Sequence, residues 1–176
     1  MIRFRRWVFR QLLVRVAQTR DSDFVIGPPD TPYMRRWWVI PRNHYFNIYL
    51  HQILADDNDE ALHDHPWWNM SWLLSGRYVE WMPKPPHWTT ERPLPFVREE
   101  GEIVFRRAIA AHRLQLFSER VDGKLTFRRE PCWTLFVTGP LIREWGFYCP
   151  NGWRHWRLFT EEGKKGQRGI GCGEQP

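Results

Sequence analysis

The sequence predicts an all-β protein, an antiparallel sandwich or barrel, preceded by one helix. Three observations carry this. Short segments rich in aromatic and β-branched residues follow one another along most of the chain, Gly, Pro or charged turns separate them, and helical periodicity is clearest at the N-terminus.

The helix comes first. "MIRFRRWVFRQLLVRVAQTR", residues 1–20, holds six arginines and no acid, with Phe4, Val8, Leu12 and Val16 at helical spacing. A basic amphipathic helix of this kind docks on the body of the protein, lies on a membrane surface, or serves as a transit or nucleic-acid-binding segment, and docking is placed first. "GPPDTP" at 27–32 then breaks regular structure. The strands expected after it are "RRWWVI", "FNIYLHQIL", "WNMSWLLSG", "RYVEWM", "EIVFRR", "AHRLQLF", "KLTFRR", "CWTLFVTG" and "EWGFYC". Residues 55–61 ("ADDNDEA") and the proline-rich 83–95 are expected as loops at the rim. The glycine-rich tail 161–176 has little to bury and is expected to be loose. The expected organisation is a helix at 1–20, a β-barrel at 33–160 and that tail.

At 176 residues with 42% hydrophobic content, the chain suits one domain with a sizeable core. Cys132, Cys149 and Cys172 are odd in number and form no CxxC, which argues for neither a disulfide framework nor a zinc knuckle and favours a reducing, cytoplasmic setting. No apolar run is long enough to span a membrane. The net charge of +6 permits an anionic partner. Nucleic acid is not the expected one, because the twelve tryptophans fall mostly in strand-like runs. No nucleophile elbow, phosphate loop or dinucleotide fingerprint is present.

The chemistry concentrates in "LHDHPWWNMSW". Side chains two apart on a strand share a face, so His63 and His65 can aim at one point, where a metal ion is the obvious occupant. A third ligand is needed for a catalytic metal, and His112, at the start of a later strand, is the best candidate. Counting in twos from His65 puts Trp67, Asn69, Ser71 and Leu73 on the same face, and counting from His112 adds Arg106, Ala108 and Leu114. Asn69, Arg106 and Trp67 are therefore the candidate substrate contacts. Asp64 points the other way, to tether a loop or pair with an arginine. His44, His51, His87 and His155 read as structural, with His51 on a strand beside the site. In "WTLFVTGPLIREWGFYC", packing is the first role for the aromatics, and Arg143 or Trp145 reaching a substrate is the second.

The spacing resembles the cupin superfamily, small β-barrels that hold a metal through two motifs. His63 and His65 fill the His-x-His of the first, and Gly76 falls at its closing glycine. Asn69 stands where the family has glutamate, and Asp57 where it has the leading glycine. In the second motif Gly101 and His112 are in place, while Arg107, Ile109 and Leu116 replace proline, glycine and asparagine. The resemblance covers roughly residues 37–150. It implies a double-stranded β-helix, or jelly roll, holding one divalent metal on His63, His65 and His112. With glutamate absent, the site resembles the three-histidine, cysteine-dioxygenase-like subtype, which implies iron(II), with zinc or nickel as alternatives, and oxidation of a small, anionic substrate. No cysteine follows the His-x-His closely enough for the thioether crosslink of some such enzymes. A homodimer is expected by the same likeness. A non-enzymatic ligand- or protein-binding scaffold is the alternative, and a basic nucleic-acid-binding protein comes third.

Overall fold

The structure is a computed structural model that describes residues 2–57, 61–84, 89–116, 118–121, 124–160 and 169–173, with backbone alone at 89–91, 118–121 and 124–129. Helix α1 (Ile2–Leu12) runs into a π-helical turn (Leu13–Ala17). Strands β1 (Phe24–Ile26), β2 (Met34–Trp38), β3 (Asn47–Ile53), β4 (Leu62–His63), β5 (Asn69–Ser75), β6 (Tyr78–Lys84) and β7 (Thr89–Arg98) follow. Then come β8 (Ile103–Arg106), β9 (Arg113–Leu116), β10 (Ser118–Val121), β11 (Lys124–Arg129), β12 (Cys132–Thr138), β13 (Gly146–Cys149) and β14 (Gly152–His155), and the chain continues into the short helix α2 (Trp156–Phe159).

One sheet has six strands in the order β1-β2-β3-β12-β5-β8, all antiparallel. The facing layer consists of β14-β13-β4 and β7-β6-β9, and these two small sheets meet where His63 and His112 exchange backbone hydrogen bonds of 2.9 Å. Two layers with sequence neighbours split between them make a jelly roll, the double-stranded β-helix, and β10 and β11 form a separate hairpin.

At β3 both faces of the six-stranded sheet are covered, which explains the near-continuous burial of that strand. Ile53 packs inward with Met34, Leu73, Tyr78, Leu116 and Cys132, whereas Leu50 faces α1 with Trp37 and Leu74. The helix docks through Phe9, Leu12, Val16 and Ala17. Phe4 is not part of this stripe. Arg5 takes the inward position, its Nη1 donating to the Leu74 carbonyl at 2.6 Å and its Nη2 pairing with Glu100 at 2.7 Å.

Gly76 and Gly101, the two glycines shared with the motifs, turn the chain at φ +85° and +96°. A Cβ on Gly76 would lie 2.9 Å from Cys132 Sγ. The proline-rich segment 83–95 is not a rim loop over its described residues: Lys84 closes β6, and β7 carries the chain back with Trp81 opposite Pro95. Strand β7 tolerates Pro93 and Pro95 because it is an edge strand, where a missing N–H breaks no ladder on its outer side.

The cysteine reading is also corrected. Cys149 and Cys172 form a disulfide, and the argument from cysteine number and spacing to a reducing compartment falls. Their separation of 23 residues in sequence, with no motif between, hid the pairing. Cys132 remains a buried free thiol, and burial pushes it up to about 12. Tail residues 161–168 and 174–176 lie outside the described residues, but Gly169 and Gly171 donate to the Phe159 carbonyl and Cys172 is tied down by its bond.

Candidate metal centre

The site forms where the two halves of the second layer meet. His63 ends β4, His65 follows it, and His112 enters β9, so the bridge between His63 and His112 fixes their backbones side by side. Among the described residues these three histidines bring one ring nitrogen each to within 4.8 Å of one another. His65 Nε2 and His112 Nε2 stand 2.8 Å apart.

Electrostatics favours ligation. Burial lowers His63 from 6.5 to about 4, partly offset by Asp57 at 4.0 Å, and lowers His65 well below its ordinary value, with His112 and His63 adding to the effect. Both imidazoles are therefore neutral at pH 7 with a lone pair to offer. The third ring is oriented from behind. His112 Nδ1 lies 2.8 Å from Glu80 Oε1, and Glu80 is fully buried on β6. Burial alone would raise this carboxyl, but hydrogen bonds and charge from His112 and Arg106 hold it well below the usual carboxylate range. An ionised carboxylate only accepts, so Nδ1 carries the proton and Nε2 is free to face the cluster.

Glu80 is the residue that sequence reasoning missed. A charged residue at an inward position of "RYVEWM", between Tyr78 and Met82, was the available signal. It lies eleven residues beyond the position where the cupin motif has its glutamate. There stands Asn69, fully buried, with Oδ1 accepting from Arg106 Nη1 at 3.4 Å and Nδ2 unpaired. Arg106 faces the cavity but is committed to Glu80, Nε to Oε1 at 2.6 Å, while Arg98 holds the other carboxylate oxygen at 2.7 Å. Trp67 lines the cavity with its buried Nε1 unpaired. Ser71 and Leu114 line it too, as the period of two requires.

Beside the histidines lies a cavity of about 80 Å³. This is far below the roughly 300–1,000 Å³ of sites for drug-sized ligands, so an occupant has only a few heavy atoms. Arg36 and His51, on neighbouring strands β2 and β3, also reach it, with Arg36 Nε donating to His51 Nε2 at 2.9 Å. Arg36 also sits over the Tyr49 ring and has no carboxylate partner among the described residues. Burial, and then Arg36, keeps His51 well below its ordinary value, as suits a ring nitrogen that accepts.

The remaining polar residues serve the frame. Asp64 is fully buried and accepts from Arg143 Nη1 (2.6 Å), the Gly146 amide (2.8 Å), the Tyr148 hydroxyl (3.2 Å) and Trp153 Nε1 (3.3 Å). It thus ties β13 and β14 to β4, and Arg143 is its partner. Trp145 packs beside His63 and His65, at 6.4 and 6.5 Å between ring centroids. His155 caps α2 and pairs with Glu144 at 2.9 Å, His44 is exposed, and His87 lies outside the described residues.

A jelly roll with three histidines gathered between its sheets defines the class: a cupin fold, with a cluster suited to metal. No family model and no curated protein matches the sequence. Solved structures do. Hydroxypropylphosphonic acid epoxidase from S. wedmorenis is 15% identical over 67% of this chain and 61% of its own, with a TM-score of 0.44. DMSP lyase DddQ from Ruegeria pomeroyi is 15% identical over 76% and 61%, at 0.47. An RmlC-like cupin from Shewanella frigidimarina is 13% identical over 70% and 86%, at 0.45. The chain thus spans about three-fifths of the length of the first two, and the likeness is one of fold.

Proposed function

We propose that this protein is a metal-dependent cupin enzyme acting on a small anionic molecule, with a mononuclear non-haem iron dioxygenase as the first reaction class. The observation that carries the reading is the convergence of His63, His65 and His112 within 4.8 Å, with His112 oriented by a buried carboxylate. Iron(II) is the favoured ion, and zinc and nickel suit the same imidazoles. A dipositive ion on three neutral ligands would keep its full charge and, with positions left open, polarise a molecule bound beside it.

The chain's own residues supply the rest. Arg36, a cation without a carboxylate partner among the described residues, meets the anionic group of the substrate, while Arg106 is spent on Glu80 and Asn69. Trp67 offers an unpaired indole N–H from the cavity wall, and Phe136 helps to keep water out. Glu80 holds the Nδ1 proton of His112 throughout.

The test is elemental analysis of the purified chain beside a His63→Ala, His112→Ala double variant, followed by oxygen-consumption assays with thiols and small carboxylic acids. About one equivalent of metal, lost in the double variant, and turnover that falls in Arg36→Gln are the expected results. No metal after reconstitution sinks the reading. One observation favours a second reading, a non-catalytic binding scaffold: 2.8 Å between the Nε2 atoms of His65 and His112 is also the length of a direct imidazole hydrogen bond. Folded protein that takes up no metal on reconstitution would select it.

A further inference from the structure

The docked helix leaves much of its surface unused. With Arg5, Phe9, Leu12 and Val16 turned to the body, Ile2, Phe4 and Trp7 face solvent. Phe4 stacks on Trp7 at 6.1 Å and on Trp72 of β5 at 6.2 Å. Trp72 is the register partner of Ile103, and Met70 of Phe105, on the edge strand β8, so these four share the outer face of the sheet. Phe105 in turn stacks on Trp68 at 5.7 Å. Ile2, Phe4, Trp7, Ile103 and Phe105 are each 59–65% exposed. Together they form one apolar stripe from the helix to the sheet edge, where soluble surfaces ordinarily scatter such residues singly.

Charge says what covers it. Arg3, Arg6 and Arg10 are exposed on the same helix, and the first 20 residues contain no acid. The carboxylates near β8 are Glu100, paired with Arg5, Glu102, paired with Arg98 at 3.5 Å, and exposed Glu99. A second copy on this face would bring two sets of the same arginines together, and a nucleic acid has no use for the aliphatic part of the stripe. Tryptophan and phenylalanine flanked by arginines suit a lipid interface, where the rings enter the headgroup boundary and the guanidinium groups meet lipid phosphate.

We propose that the outer face of α1, continued by Ile103 and Phe105 of β8, docks this protein peripherally on an anionic membrane surface. The test is co-sedimentation of the full chain with vesicles of phosphatidylcholine alone or mixed with phosphatidylglycerol, at low and physiological salt. The chain should pellet with the anionic vesicles and far less with the neutral ones. Arg3→Gln, Arg6→Gln, Arg10→Gln together should weaken this binding on the order of a hundredfold. Trp7→Ala and Phe105→Ser should each weaken it several-fold with thermal melts unchanged, because both side chains are exposed. The proposal fails if neither vesicle binds, or if binding ignores the arginines. It fails equally if sedimentation shows a dimer that Phe105→Ser dissolves, so that a second copy covers the stripe, or if a single-stranded oligonucleotide binds through the arginines and the vesicles do not.

Discussion

His112 donates its Nδ1 proton to Glu80 across 2.8 Å, joining the end of a metal-competent cluster to a carboxylate fully buried on the next strand. The same carboxylate accepts from Arg106 and Arg98. One residue therefore sets the tautomer of His112 and neutralises two guanidinium groups.

Glu80→Gln separates these roles. Losing the anion behind His112 should lower metal affinity about 10–100-fold, which chelator competition would measure. It also leaves Arg106 buried without its counter-charge, so the metal-free protein should lose about 3–5 kcal/mol of stability in denaturant titrations.

Acid should destabilise the metal-free protein early. His63 and His65 are lowered in the fold, so below pH 6.5 the unfolded chain takes up protons that the folded one refuses. Stability then falls with pH from 6.5 toward 4, by up to about 3 kcal/mol from His63 alone. Below the ordinary glutamate range the contribution of ionised Glu80 is lost as well. Melting temperatures from pH 7.5 down to 5 should drop, and His63→Gln should flatten the profile.

Asp64→Ala should be among the most damaging single changes. It strands Arg143 and leaves the Gly146 amide without its acceptor, loosening β13 and β14 from β4. A loss of about 3–5 kcal/mol is expected in denaturant titration. Arg143→Gln should cost less, because the other three donors to Asp64 remain.

Reduction of the Cys149–Cys172 bond should lower the melting temperature by an amount corresponding to about 3 kcal/mol, the entropy of closing a loop of this separation. The denatured, unreduced chain should titrate with a thiol reagent at Cys132 alone. A titration of all three cysteines without reductant would contradict the bond.

What the sequence by itself determined is whatever depends on period and near neighbours. Two residues of separation put His63 and His65 on one face, Trp67 and Ser71 followed by the same count, and the resemblance to the cupin motifs picked out Gly76 and Gly101, where the chain turns at positive φ. Helical spacing announced α1, although the stripe that docks runs through Arg5 and Phe9 because a buried arginine found a carbonyl and a carboxylate to satisfy it. Only the tertiary structure decided which polar groups partner one another. Glu80 reaches His112 across 32 residues, Arg143 reaches Asp64 across 79, and Cys149 finds Cys172 across 23. Such pairings are fixed by how the sheets close on each other, and a buried charge or thiol leaves no local periodic trace of the partner it will meet.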